Sequence, residues 1–149
     1  VSSAGDTRSL DIDGQRFAWR ELGNGPPLLL INGYAATAAD WDPAMLAALA
    51  RSFTLICPDN RGMGASELGD AAELTVDAMA GDLEHLLDEL RIERLPVLGW
   101  SMGGFIAQRL AVRKPHRVEA LMLLASAPGG PDAAFAEPRV WRLLTDHTG

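Results

Sequence analysis

One serine stands in a context that suits nucleophilic chemistry. Ser101 lies in Gly99-Trp100-Ser101-Met102-Gly103-Gly104, a G-x-S-x-G spacing. The apolar run Leu95-Pro96-Val97-Leu98 precedes it, and Phe105, Ile106 and Leu110 follow at helical spacing. A strand that turns sharply into a helix lifts the serine oxygen out of the chain for attack on a carbonyl. Such a turn strains the serine backbone, and Gly99 and Gly103 remove side chains that would collide with it. The helix N-terminus behind the serine favours the negative charge that develops on the carbonyl oxygen. Of the other reactive types, Cys57 ends an apolar run and reads as a buried, inert thiol. Met63 and Met102 read as filler. The three histidines, His85, His116 and His147, lie far apart, so no metal site is expected. Asn32-Gly33-Tyr34-Ala35-Ala36 lacks the glycine spacing of a dinucleotide fingerprint. No cofactor is expected.

Elements must hold that serine in place. Ser9-Leu10-Asp11-Ile12-Asp13 alternates, and Gln15 to Arg20 follows after Gly14. Asp13-Gly14 between two such runs predicts a hairpin. Gly23-Asn24-Gly25-Pro26-Pro27 then breaks the chain. Four unbroken apolar runs come next, around residues 28–31, 53–57, 95–98 and 120–124. Runs without alternation predict strands buried on both faces, as in parallel sheets. Helical patterns separate them: residues 42–50 with Met45, Leu46 and Leu49, and 75–90 with Thr75 as N-cap. Pro115 stops the third helix. This alternation predicts an α/β fold with a mostly parallel twisted sheet. From Ala125 the composition shifts to Ala, Pro and Gly, and Trp141-Arg142-Leu143-Leu144 reads as the start of a short helix.

Composition narrows the class. With 13 basic against 20 acidic residues the net charge is -7, a poor match for phosphate backbones, so nucleic acid is excluded as a partner. No apolar run approaches the ~20 residues of a membrane span. The single cysteine excludes an internal disulfide, and the first residues carry no signal-peptide pattern, so a cytoplasmic location is expected.

Several motifs together resemble the α/β-hydrolase fold superfamily, over about residues 9–127. Leu28-Leu29-Leu30-Ile31-Asn32-Gly33-Tyr34 resembles the strand and oxyanion loop that usually reads His-Gly-x. Pro58-Asp59-Asn60-Arg61-Gly62-Met63-Gly64-Ala65-Ser66 resembles the D-x-R-G-x-G-x-S loop. Residues 99–104 resemble the nucleophile elbow. The resemblance implies Ser101 as nucleophile, with the backbone N–H groups of Met102 and Tyr34 as oxyanion donors. Losing one such donor costs ~3–4 kcal/mol of transition-state stabilisation. Asn32 departs from the usual histidine, and Asn32 and Trp100 are candidates for the substrate pocket. Asp59 and Arg61 are expected to hold their loop by hydrogen bonds and an ion pair rather than to catalyse. Serine at position 101 argues against the haloalkane dehalogenases and epoxide hydrolases of this fold, which use aspartate there.

The resemblance also implies an acid and a histidine after the nucleophile. His116 is expected at the surface, and His85 on a solvated helix side with Asp82 and Glu89. His147 sits near the chain end, and Asp132 is the nearest carboxylate after the fourth run. None is well placed. Residues 1–127 are therefore read as the N-terminal part of an α/β-hydrolase core, and 128–149 as a linker and the start of a cap. The C-terminal core strands would be absent from this chain. A final strand at 121–124 would be an exposed hydrophobic edge, and Phe135, Trp141, Leu143 and Leu144 also want a partner. Together with the missing initiator Met, these features suggest a cut chain completed by a companion C-terminal polypeptide of about 100–150 residues. The expected activity is a serine hydrolase acting on an ester, thioester or lactone of a small acyl substrate. Alternatives are acyl transfer, perhydrolysis or C–C hydrolysis with the same serine, a non-catalytic scaffold, or a homodimer joined through the last strand.

Overall fold

A computed structural model of the protein describes residues 6–130, 133 and 137–145. The chain opens with an antiparallel hairpin, β1 (Thr7–Ile12) and β2 (Gln15–Leu22). Its turn is Asp13-Gly14, both with positive φ (52° and 82°), the two-residue geometry that matches strand twist. The Asp11 carboxylate accepts the Gly14 N–H at 2.8 Å.

Then come β3 (Pro27–Ile31), α1 (Pro43–Leu49), β4 (Thr54–Pro58), a 3-10 turn (Ala71–Glu73) and α2 (Val76–Glu89). They are followed by β5 (Leu95–Trp100), α3 (Met102–Arg113), β6 (Val118–Leu124) and α4 (Pro138–Thr145). Asp42 caps α1 by accepting from Met45 N–H, and Thr75 caps α2 by accepting from Ala78 N–H. One six-stranded sheet forms in the order β1-β2-β4-β3-β5-β6. The pairs β3–β4, β3–β5 and β5–β6 are parallel, whereas β2 joins β4 antiparallel.

The apolar runs sort by parity onto two cores. Leu29, Ile31, Ile56, Leu95 and Val97 face α2 and α3, packing with Leu83, Leu86, Ile106 and Leu110. Leu28, Leu30, Leu55, Cys57 and Leu98 face the other way, packing with Trp41 and Leu46. These strands are buried on both faces, as unbroken runs require. β6 is different. Leu121, Met122, Leu123 and Leu124 are 38–43% exposed. Nothing among the described residues pairs with the free edge of β6.

The chain direction across the sheet reverses at β3. From β3 it passes through α1 to β4, and β5 returns on the opposite side of β3. The loops leaving β3 and β5 therefore diverge to opposite faces, opening the crevice where ligands bind in such sheets. Among the described residues no helix is long and apolar enough to cross a membrane. Asp132, Phe135 and His147, and the side chains of Trp141, Leu143 and Leu144, lie outside what the structure describes.

Candidate active site

Ser101 sits between the last residue of β5 and the first of α3, at that crevice. Its backbone has φ 54° and ψ -119°, the strained turn expected of a serine lifted off a strand. It occupies the N-cap position of α3, yet its side chain makes no capping hydrogen bond. The Oγ is not committed to the helix, and the residue is half-buried. Two backbone bonds fix the turn. Ser101 N–H donates to Leu124 O at 2.8 Å, and Gly104 N–H donates to Ser101 O at 2.9 Å.

The glycines around it are required by contact. A Cβ on Gly99 would lie 2.4 Å from Gly103 O, within the elbow itself. A Cβ on Gly103 would lie 2.1 Å from Ile31 O and 2.6 Å from Asn32 O. Gly103 thus makes room for β3, where the sequence suggested only relief around the serine. Gly104 makes room for Ser126, whose Oγ would stand 2.2 Å from a Cβ there.

The loop after β3 reaches the same place. A Cβ on Gly33 would be 3.2 Å from Ser101 Cβ and 3.7 Å from its Oγ, so the Gly33 backbone packs directly on the serine. Tyr34 follows, 67% exposed. Neither Tyr34 nor Met102, the two expected oxyanion donors, has a backbone N–H that finds an acceptor among the described residues. Asn32 is fully buried. Its Nδ2 donates to Thr37 O, and its main-chain O accepts from Asn60 Nδ2 at 3.1 Å. A side chain with no exposed surface and a bond into the loop does not line an open pocket, so any part it plays is exerted through that loop. Thr37 is held in turn by Asp40, whose carboxylate accepts from the Thr37 N–H and hydroxyl at 2.8 Å each. These bonds hold the Asp40 carboxyl below its ordinary pKa.

Trp100 is 38% exposed beside Ser101, and its ring lies 6.1 Å from that of Trp41 at a 53° tilt. The sequence reading missed Trp41, and its only signal was an aromatic residue directly before the α1 cap.

Asp59 and Arg61 hold the neighbouring loop. Asp59 Oδ1 accepts from Ala38 N–H at 2.7 Å and Oδ2 from Ala65 N–H at 2.9 Å. Gly64 has φ 54°, and a Cβ there would lie 2.2 Å from Asp59 Oδ2. Arg61 donates through Nε and Nη2 to the two oxygens of Asp82, at 2.8 and 2.6 Å. This paired carboxylate holds the Arg61 guanidinium above its usual pKa. The sequence pattern puts Asp82 on one helix side with His85 and Glu89, a face expected to be solvated. His85 and Glu89 are exposed, but Asp82 is 4% exposed and turned toward Arg61. His116 is exposed beyond the C-terminal end of α3, while Ser101 is at its N-terminal end. At 1.5 Å per residue that is roughly 20 Å along the helix. Cys57 is buried at 0% exposure, and burial pushes its thiol up to about 12.

The family model of the alpha/beta hydrolase fold matches residues 26–147. The chain belongs to this family. One curated relative of this chain is the pimeloyl-[acyl-carrier protein] methyl ester esterase of Nitrosomonas europaea. It is 41% identical over 106 residues, covering 71% of this chain and 39% of the esterase. The solved epoxide hydrolase CorEH superposes with a TM-score of 0.81 at 31% identity, over 95% of this chain and 50% of that one. The N-acyl homoserine lactonase AidH, complexed with N-butanoyl homoserine, gives a TM-score of 0.75 at 27% identity, over 85% and 51%. The chain spans a third to about half of curated relatives it matches, between 33% and 47%.

Proposed function

We propose that this chain carries the nucleophile and the oxyanion donors of a serine hydrolase acting on a small carboxylic ester, thioester or lactone. The observation that carries this reading is Ser101 itself. It has a strained backbone, an uncapped Oγ, a helix N-terminus behind it and the Gly33 backbone packed against its Cβ. Ser101 Oγ would attack the carbonyl carbon and pass its proton to a histidine base. The carbonyl oxygen, now negative, would be received by the N–H groups of Met102 and Tyr34. Collapse would break the bond to the alcohol or thiol, which leaves with the proton. Water would then release the acid from the acyl-serine. Trp100 would form one wall of the acyl site.

Relatives named as an esterase and a lactonase support acyl chemistry. The likeness to an epoxide hydrolase supports the shared scaffold, since the fold's epoxide hydrolases are expected to use aspartate at the position of Ser101. The base and acid would come from a companion C-terminal polypeptide, for which the open β6 edge is the natural seat. The location would be cytoplasmic.

A fluorophosphonate probe, applied with that companion present, tests the reading. Labelling of the parent and its loss in Ser101→Ala are expected. Labelling that persists in Ser101→Ala, or none in the parent, overturns it. The second reading, a non-catalytic scaffold, draws on the exposed positions of His85 and His116, far from any base role. It predicts no labelling under any of these conditions.

A further inference from the structure

We propose that Asn32 is a positioning residue, whose buried amide fixes the loop bearing the Tyr34 N–H against Ser101. The inference rests on the serine-hydrolase reading for its effect on chemistry, but not for its effect on the loop. Residues 33–38 have little backbone support of their own. Ala36 N–H reaches Gly33 O only at 3.4 Å, and Ala35 is held at φ 55° without being glycine. Tyr34 and Ala35 are exposed. Besides the exposed Asp40, which holds Thr37, two buried side chains anchor this segment from below. Asn32 Nδ2 takes Thr37 O, and Asp59 Oδ1 takes Ala38 N–H. Asn32 is the anchor nearest the serine, since it adjoins Gly33.

The second atom of that amide is informative. Asn32 Oδ1 is buried with no hydrogen-bond partner. An unpaired buried acceptor opposes folding, and such costs collect where a group is retained for a reason other than stability. What the amide supplies here is its donor to Thr37 O. That donor ties Thr37 O, which Asp40 N–H also reaches at 3.0 Å, back to the residue beside Gly33, and so bears on the place of the Tyr34 N–H relative to Ser101. A preorganised donor acts on the developing oxyanion and hardly on the uncharged substrate.

The test compares Asn32→Ala, Asn32→Asp and Asn32→His with the parent. Alanine removes the donor, and aspartate replaces it with an acceptor of the same shape. Histidine restores an N–H. With the companion polypeptide present, fluorophosphonate labelling is followed against probe concentration. The alanine and aspartate variants should lose about tenfold in maximal rate, with the half-saturating concentration changed less than about twofold. Histidine should recover most of the rate. Equal loss in both parameters, or an unchanged rate, overturns the proposal. Amide exchange reads the loop whether or not the parent labels. Asn32→Ala should speed exchange at Ala36 and Ala38 about tenfold, with β3 and β5 unchanged. Unchanged loop exchange, or faster exchange throughout the sheet, also overturns it. A parent that fails to label but shows the loop effect removes the hydrolase reading and leaves the positioning role standing.

Discussion

At Ser101 the chain accepts a backbone conformation that costs on the order of 1–3 kcal/mol for a residue with a side chain. The cost is sustained because the surroundings leave no alternative. Its N–H is bonded to Leu124 O, its O to Gly104 N–H, and three glycines let β3 and the first turn of α3 close around it. The G-x-S-x-G spacing made this strain legible in the sequence, but not the reason for each glycine. Gly103 answers to Ile31, far away in sequence, a contact that exists only because β3 lies beside α3. Gly103→Ala should therefore destabilise the fold by about 1–3 kcal/mol through overpacking. A urea titration checks this, and an unchanged midpoint would contradict the contact. Asn32 was legible as a departure from the usual histidine. Its burial and its bond to Thr37 were not, because a side chain's direction at a strand end depends on the loop that follows.

Among the elements, the hairpin, the strands and the helix caps follow closely from local chemistry. Asp13-Gly14 encodes the turn, Asp42 and Thr75 the caps, and the unbroken runs the two-faced strands. What local chemistry hides is a partner from elsewhere in the chain. Asp82 sits at a helix position that looks solvated, yet Arg61 comes from a loop 21 residues earlier and covers it. The side chains of Arg61 and Asp82 are only 11% and 5% exposed. Removing the arginine leaves a buried carboxylate without its counter-charge. Arg61→Ala is expected to cost about 3 kcal/mol by thermal or urea unfolding. An Arg61→Ala, Asp82→Leu double variant should recover part of that loss, because an apolar pair avoids the unpaired charge. Without such recovery, the cost belongs to loop packing instead.

The whole molecule is asymmetric. On one side its sheet is finished by the β1–β2 hairpin, whose strands run antiparallel to their neighbours. On the other side the outermost strand among the described residues is β6, with four large apolar residues partly exposed along it. Such an edge invites pairing with another chain. Alone in solution, the chain should self-associate, and Leu123→Lys should reduce that association in light scattering. A monodisperse parent would count against the edge as an adhesive surface. Family membership was readable from the combination of three motifs, since each fixes a different loop at the same end of one sheet. The exposure of β6 was readable too, from an apolar run followed by sequence rich in Ala, Pro and Gly.

One bond gives that edge a wider meaning. Ser101 N–H is held by Leu124 O, the final carbonyl of β6. Fraying of β6 from its tip therefore slackens the turn that presents the serine. The posture of the serine thus depends on the last residue of β6 as well as on the glycines packed around it.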